Sequence, residues 1–299
     1  MKGISGVLLA TILPVAALAQ TGIGVADPST ATIYERDSLS SGPPSRSFSY
    51  GAPGWDFFAG DWNGDGTQTI GAYDPSTATF FLRNSNSAGA PNDVFQFGGV
   101  GWKPVIGDWN NDGVDTIGVF DPSSGTFYLR NSNSAGPPDT GPFTFGLGSW
   151  IPLAGDWNGD GVSSIGVFDP NTATFYLRNS NSSGAPDFQF QFGAPGWKPV
   201  TGDWNNDGTT TIGVFDTNGN FYLRNSNTAG APDIPPFTFG TGSMQPFSFA
   251  TVPEPASWSL LILGSAALII LRNFTYAVKR NGKRPAAVRE KSARYRRRK

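Results

Sequence analysis

The sequence predicts an all-β protein, a five-bladed β-propeller of four-stranded repeats that are each about 47 residues long. The first observation is a heptapeptide, Gly-Asp-Trp-Asn-(Gly/Asn)-Asp-Gly, whose four copies are spaced 47, 48 and 47 residues apart and begin at Gly60, Gly107, Gly155 and Gly202. The second is the marker Ile-Gly-(Val/Ala)-x-Asp, whose five copies begin at Ile23, Ile70, Ile117, Ile165 and Ile212. The third is that residues 20–250 show no helical spacing of apolar residues.

Each repeat contains four short runs that favour β-strands. In one unit they begin at Thr116, Thr126, Phe143 and Trp150, and Gly, Pro, Asn or Ser residues separate them. The segment 121–125 (Asp-Pro-Ser-Ser-Gly) is a tight turn, so the first two runs form a hairpin. Four antiparallel strands in a unit of this length match one propeller blade.

The two ends of the repeat region predict that the ring closes. Residues 20–250 amount to about five units, and they begin midway through a unit, at the Ile23 strand. They end at residues 245–250, which align with residues 151–156, the strand that the first unit lacks. Pairing of the two segments would complete one blade and leave no open edge. A linear solenoid is the alternative, but it would not need this phase shift.

Composition excludes several kinds of chemistry. The chain has no Cys and no His, so disulfides, thiol nucleophiles and Ser-His-Asp catalysis are excluded, while nine Trp and 23 Phe can supply an apolar core. Residues 20–250 carry 8 Lys and Arg against 21 Asp and Glu, a net charge of −13, whereas residues 272–299 carry 12 against one, a net charge of +11. The acidic repeats favour cations, and we expect no nucleic-acid partner.

The N-terminus has the pattern of a secretory signal peptide, residues 1–19. Lys2 supplies a positive start, residues 6–18 are mostly apolar, and Ala-Leu-Ala ends at the predicted cleavage site between Ala19 and Gln20. The alternative is an N-terminal membrane anchor. We therefore expect the repeats to be exported.

The C-terminal region predicts a transmembrane helix at residues 256–278. Residues 256–271 carry no charge and span roughly 24 Å as a helix, and residues 272–278 extend it toward the ~30 Å of a bilayer core. The basic tail, residues 279–299, is expected to stay in the cytoplasm by the positive-inside rule. The repeats would then lie outside the inner membrane.

The linker 251–255 precedes this helix and contains Val252, Pro253, Glu254 and Pro255. Pro-Glu-Pro, an apolar helix and a basic end together resemble the C-terminal sorting signal of PEP-CTERM proteins. The resemblance implies an exosortase-type membrane protease as partner, in a Gram-negative bacterium that makes exopolysaccharide. It also implies a membrane-anchored precursor and a mature protein at the cell surface or in the extracellular matrix. The basic end is longer here than is usual in that family, and a plain tail anchor is the alternative.

The repeats resemble FG-GAP/VCBS-type propeller repeats. The segments 192–195 (Phe-Gly-Ala-Pro) and 50–53 (Tyr-Gly-Ala-Pro) are similar to the motif that names the family, and the Asp-rich loop is similar to its cation loop. Members often have seven blades, so the expectation of five rests on the count of repeats. A five-bladed animal lectin of the tachylectin type has repeats of similar length and provides an analogy for sugar binding.

The Asp-rich loops are candidate calcium sites. Asp61, Asn63 and Asp65 occupy positions 1, 3 and 5 of an EF-hand-like loop, a glycine follows at position 6, and Thr69 stands at position 9. The other loops offer the corresponding sets Asp108, Asn110, Asp112 and Thr116; Asp156, Asn158, Asp160 and Ser164; and Asp203, Asn205, Asp207 and Thr211. Without a carboxylate at position 9 or 12, we expect weak calcium binding. A turn held by Asx hydrogen bonds, without metal, is the alternative.

Two tryptophan series and one arginine series recur with the repeat. Trp62, Trp109, Trp157 and Trp204 lie in the Asp loops, and Trp55, Trp102, Trp150 and Trp197 precede the next strand. Either tryptophan series would pack between blades or stack on sugar rings. The arginines, which are Arg36, Arg83, Arg130, Arg178 and Arg224, are expected to pair with neighbouring Asp residues or carbonyls.

Repetition of the polar features argues against catalysis, which needs unlike residues in unlike roles. We therefore expect a non-enzymatic, calcium-supported propeller that is a structural or adhesive component of an extracellular matrix. A lectin-like binder of exopolysaccharide is the alternative, and a glycan-processing enzyme is a third reading.

Overall fold

The computed structural model describes residues 20–251, which form five four-stranded antiparallel sheets, the blades. Blade 1 contains β1 (Gln20–Asp27), β2 (Thr32–Arg36), β3 (Arg46–Ser49) and β20 (Gln245–Thr251). Blade 2 contains β4 (Asp56–Gly60), β5 (Thr69–Asp74), β6 (Thr79–Leu82) and β7 (Asp93–Gln96). Blade 3 contains β8 (Lys103–Gly107), β9 (Thr116–Asp121), β10 (Thr126–Leu129) and β11 (Thr140–Thr144). Blade 4 contains β12 (Ile151–Gly155), β13 (Ser164–Asp169), β14 (Thr174–Leu177) and β15 (Phe188–Gln191). Blade 5 contains β16 (Lys198–Gly202), β17 (Thr211–Phe215), β18 (Asn220–Leu223) and β19 (Ile234–Thr238).

Four predicted segments lie outside the described residues: the signal peptide 1–19, the sorting residues 252–255, the transmembrane helix 256–278 and the basic tail 279–299. Residues 20–251 contain no helix with the length and apolar character needed to cross a membrane.

The ring closes as the phase shift of the two ends predicts. Strand β20 pairs antiparallel with β1, and the register runs from Gln20 opposite Thr251 to Ala26 opposite Gln245. The inner strand of each blade contacts the inner strands of both neighbouring blades, in the order β4, β8, β12, β16 and β20 and back to β4. These five strands line a central channel. The all-β, five-bladed architecture is therefore confirmed.

The core lies between the blades. The second strand of each blade, such as β5 or β9, is buried along almost its whole length, because both faces of the sheet pack against neighbouring blades. Five apolar clusters result, each built from two adjacent blades. One joins Phe80 and Leu82 of blade 2 to Ile117 and Val119 of blade 3. Burial on both faces explains why the Ile-Gly-Val marker shows no polar alternation.

A glycine at the end of the inner strand makes room for the tryptophan of the Asp loop. A Cβ atom at Gly60 would lie 2.5 Å from the Trp62 ring, and one at Gly202 would lie 2.6 Å from Trp204. Blade 1 has no Asp loop, and Phe249 stands at the aligned position of β20, fully buried. The closing blade thus supplies an aromatic ring from the strand itself.

Candidate calcium loops and inter-blade clefts

The Asp loops connect the first and second strands of blades 2 to 5, and their first aspartate organises each loop. The Asp61 carboxylate accepts hydrogen bonds from the backbone N–H groups of Gly64 (2.8 Å), Asp65 (3.1 Å) and Gly66 (2.7 Å). Asp108, Asp156 and Asp203 accept equivalent bonds in their own loops. The loops therefore hold their shape through hydrogen bonds of their own.

Backbone conformation explains the sequence of the loop. Position 4 is left-handed in every copy, with φ of 71° at Gly64, 58° at Asn111, 74° at Gly159 and 57° at Asn206. Glycine and asparagine are the residues that tolerate this region best, which accounts for the alternation between them.

The side chains at positions 1, 3 and 5 form hydrogen bonds within their own loop. Asn63 Nδ2 donates to the Asp65 carboxylate (2.9 Å), and the Thr67 N–H donates to its other oxygen (2.9 Å). These two hydrogen bonds lower the pKa of Asp65, so the carboxylate is charged at neutral pH. The same two kinds of bond lower the pKa of Asp160 and Asp207. Each loop offers two carboxylates and one amide, and no group of three or more Asp and Glu side chains that could hold a metal occurs within residues 20–251.

The hydroxyl side chains at position 9 lie at the start of the second strand and are buried. Thr116 donates to the Gly107 carbonyl (3.3 Å), Ser164 donates to Gly155 (3.4 Å) and Thr211 donates to Gly202 (3.2 Å). Their oxygens retain lone pairs, and their part in calcium binding stays a prediction, as does calcium binding itself.

The loops also join neighbouring blades, a role that the sequence analysis missed. The Asp61 N–H donates to the Asp115 carboxylate, and the Asp115 N–H donates back to the Asp61 carbonyl, both at 2.8 Å. The same reciprocal pair links Asp108 with Ser163, Asp156 with Thr210, and Ala250 with Gln68. The sequence does contain a signal for these contacts between blades, because the residue before the second strand is polar in every unit.

The tryptophans of the Asp loops are structural. Trp62, Trp109, Trp157 and Trp204 are each at most 6 % exposed. The indole N–H donates to a backbone carbonyl in three of them, for example from Trp62 to Thr69 at 3.0 Å. This series packs between blades and has no ring face for a ligand.

The second tryptophan series lies at clefts between the blades. Trp102 stacks on Tyr128 with 4.7 Å between the ring centres, and Trp150 and Trp197 stack in the same way on Tyr176 and Tyr222. Trp55 stacks on Phe81, and Met244 takes the tryptophan position beside Tyr34. These rings pack onto the inter-blade cores and are half-buried, so they combine a packing role with an accessible edge.

The repeated arginines donate hydrogen bonds to the polar loop that follows the third strand of each blade. Arg83 donates to the Ser87 carbonyl (2.8 Å), the Ala88 carbonyl (3.1 Å) and the Ala90 carbonyl. Arg36, Arg130, Arg178 and Arg224 make the corresponding contacts in their own loops. This confirms that the arginines pair with neighbouring carbonyls.

Two acids with raised pKa values depart from the repeat pattern, contrary to the expectation that every polar feature is copied. Glu35 stands where the other blades have leucine, is fully buried, and pairs with Arg46 at 2.5 Å. Desolvation raises the pKa of Glu35 to about 7, against the opposing effect of Arg46. Asp115 stands where other blades have Thr, Gln or Ser, and desolvation raises its pKa to about 6. An alignment of the five units against one another would have revealed both.

No protein-family model matches the chain, and a search of curated proteins returns no matching relative. The chain is a five-bladed β-propeller of four-stranded blades over its described residues.

Proposed function

We propose that the protein is an exported, envelope-sorted β-propeller that serves as a structural or adhesive component of an extracellular matrix, with calcium as a weak supporting ligand. The observation that carries this proposal is where the ring begins and ends. The closing pair joins Gln20, the residue after the predicted signal cleavage site, to Thr251, the residue before the predicted sorting motif. Cleavage at both places would leave the whole ring intact.

The repeated surface supports a non-enzymatic role. The Asp loops and the arginine-held turns recur around the ring, as in a scaffold or a multivalent binder. Repeated weak contacts gain strength through multivalency, which suits adhesion. A glycan-processing enzyme would need an asymmetric site, so it is the least favoured reading.

The sorting step is proposed to use residues 252–278. The prolines of the sorting motif keep the backbone extended and accessible to a protease. The apolar helix would hold this segment at the outer face of the inner membrane, and the basic tail would set the orientation.

A C-terminal tag tests the sorting proposal in hosts with and without an exosortase. We expect surface-located protein without the tag only when the exosortase is present. A tag that stays attached in both hosts would leave a simple membrane anchor.

The second candidate function is a lectin-like binder of exopolysaccharide. The observation that favours it is the set of clefts between blades, each with an aromatic wall and little charge. Residues of both neighbouring blades line each of them.

A further inference from the structure

The clefts are not equivalent, and two of them carry an additional amide. The cleft between blades 2 and 3 is lined by Gln96 and Gly98 from one blade and by Trp102, Tyr128 and Pro138 from the other. Its volume is about 350 Å³. The cleft between blades 4 and 5 has Gln191, Trp197, Tyr222 and Pro232 at the same positions and a volume of about 280 Å³.

The equivalent positions at the other three junctions between blades lack one or more of these groups. Ser49, Thr144 and Thr238 take the place of the glutamine at the junctions that follow blades 1, 3 and 5. The cleft between blades 5 and 1 also has Met244 in place of the tryptophan.

The glutamine amide is held in one orientation. Gln96 Nε2 donates to the Thr77 carbonyl (3.1 Å), and Gln191 Nε2 donates to the Thr172 carbonyl (3.3 Å). Both side chains are exposed, and the bond leaves the amide oxygen available as an acceptor. A fixed acceptor beside an aromatic wall favours a ligand with both hydroxyl groups and an apolar face.

The tryptophan adds a donor to the same clefts. Trp102 and Trp197 are half-buried, and among residues 20–251 no group accepts a hydrogen bond from either indole N–H. The buried indole of Trp62, by contrast, is satisfied by a backbone carbonyl. An unpaired N–H donor on a half-buried ring that lines the cleft is available for a ligand oxygen.

The volume of the clefts and the charge around them restrict the class of ligand further. Ligand pockets range from about 300 to 1,000 Å³. One cleft lies at the small end of this range and the other just below it, so both suit a single ring rather than a large cofactor. No charged side chain lines either cleft. The net charge of −13 on residues 20–250 disfavours an anionic polymer.

We propose that the clefts between blades 2 and 3 and between blades 4 and 5 are two matched binding sites for a pyranose ring of an uncharged polysaccharide. Gln96 and Gln191 accept from a sugar hydroxyl, the tryptophan N–H donates to a sugar oxygen, and the aromatic wall packs against the C–H face of the ring. This proposal rests on the proposed matrix function and identifies the ligand class for it. Two weak sites on one rigid ring would bind a polymer more tightly than a single sugar.

The test is binding of three soluble neutral oligosaccharides, from dextran, laminarin and galactomannan, followed by the indole N–H signals in nuclear magnetic resonance. For at least one of them we expect the Trp102 and Trp197 signals to shift together, with two sites per chain. The combined substitution Gln96→Ala and Gln191→Ala should weaken binding at least tenfold with an unchanged melting temperature. The matched control, Ser49→Ala with Thr144→Ala, should leave binding unchanged.

The outcomes separate the cleft assignment from the matrix function. No response to any of the three probes, or binding that the glutamine substitutions leave unchanged, would overturn the cleft assignment. Binding of anionic alginate, together with no binding of the three neutral probes, would overturn it while leaving a matrix role through another surface. Replacing Trp102 and Trp197 by Phe, which keeps the aromatic wall, should weaken binding without unfolding the protein.

Discussion

Glu35 places a buried acid in blade 1 at a position that is apolar in the other blades. The other blades have leucine at this position, whereas blade 1 buries a carboxylate beside Arg46, whose guanidinium also contacts Asp37. Arg46 lies 5.3 Å from the centre of the Phe249 ring, so the ion pair is next to the strand that closes the ring. The Oε1 atom of Glu35 is buried without a hydrogen-bond partner in the described residues. Such a pair adds less stability than an apolar core of the same shape.

Stability is predicted to depend on pH through Glu35. Its pKa is raised to about 7 in the folded protein from 4.5, so the folded state holds a proton that the unfolded state loses. The contribution is therefore fully present below pH 4.5 and is lost as the pH rises through 7, by an amount on the order of 3 kcal/mol. Glu35→Gln should flatten this fall in the free energy of unfolding, measured by urea denaturation between pH 4.5 and 8.

Comparing the wild type with Glu35→Gln isolates the contribution of the Glu35 carboxyl to the pH dependence of stability. Asp115, whose pKa is also raised, contributes in the same direction in both proteins. Asp115→Asn is the control, because it removes the contribution that Asp115 makes around pH 6 and leaves that of Glu35. Parallel curves for the wild type and Glu35→Gln would show that Glu35 does not titrate in this range.

Calcium is predicted to raise the melting temperature at millimolar concentration, because a ligand that binds only the folded state stabilises it. At ten times the dissociation constant, each loop would add about 1.4 kcal/mol. Replacing Asp65, Asp112, Asp160 and Asp207 by Asn removes one negative charge and one of the two side-chain acceptor oxygens from each loop, and it should remove the gain. Asp74→Asn, in a turn outside the loops, is the control. Calorimetry that detects no heat and no shift with chelator would identify the loops as turns alone.

Strand β20 is the element on which ring closure depends. It supplies the fourth strand of blade 1, lines the channel and contributes Phe247 and Phe249 to the core between blades 1 and 2. The backbone of Ala250 also makes the reciprocal pair of hydrogen bonds with Gln68 of blade 2. The strand thus joins blade 1 to its neighbour on the inner side of the ring.

Phe249→Ala is predicted to lower the free energy of unfolding by about 3–5 kcal/mol, because it removes a fully buried ring from this junction. Val94→Ala removes apolar atoms from a side chain that is 54 % exposed and should change the value by less than about 0.5 kcal/mol. Urea denaturation measures both. Equal effects of the two substitutions would contradict the role given to Phe249.

Removal of residues 243–250 is predicted to lower stability by several kcal/mol, because it exposes the edge of β1 and opens the ring. A truncated protein with an unchanged melting temperature would show that the ring does not depend on β20.

At the scale of the molecule, repetition made most of the fold predictable. The period, the five Ile-Gly markers and the half-unit offset of the ends were sufficient to predict five blades and the blade that closes the ring. The clefts could not be predicted, because they join residues of neighbouring blades, such as Gln96 and Tyr128, that no motif connects. The reciprocal bonds between the loops and the next blade were missed for the same reason, because Asp61 and Asp115 belong to different units.

In the Asp loops, one sequence pattern is compatible with two structures, a calcium site and a metal-free turn. The spacing of Asp61, Asn63 and Asp65 predicts a cation loop, yet the same side chains form the hydrogen bonds that hold the turn. One set of residues serves both readings, so the amino-acid pattern alone cannot distinguish them, and a binding measurement is required.

The intact mass of the protein recovered from the extracellular matrix tests the central claim most directly, namely that a complete propeller is released between two processing signals and retained outside the cell. The account predicts a chain that begins at Gln20 and ends within residues 251–255. A mass that includes residues 256–299, or protein found only in the membrane fraction, would contradict it.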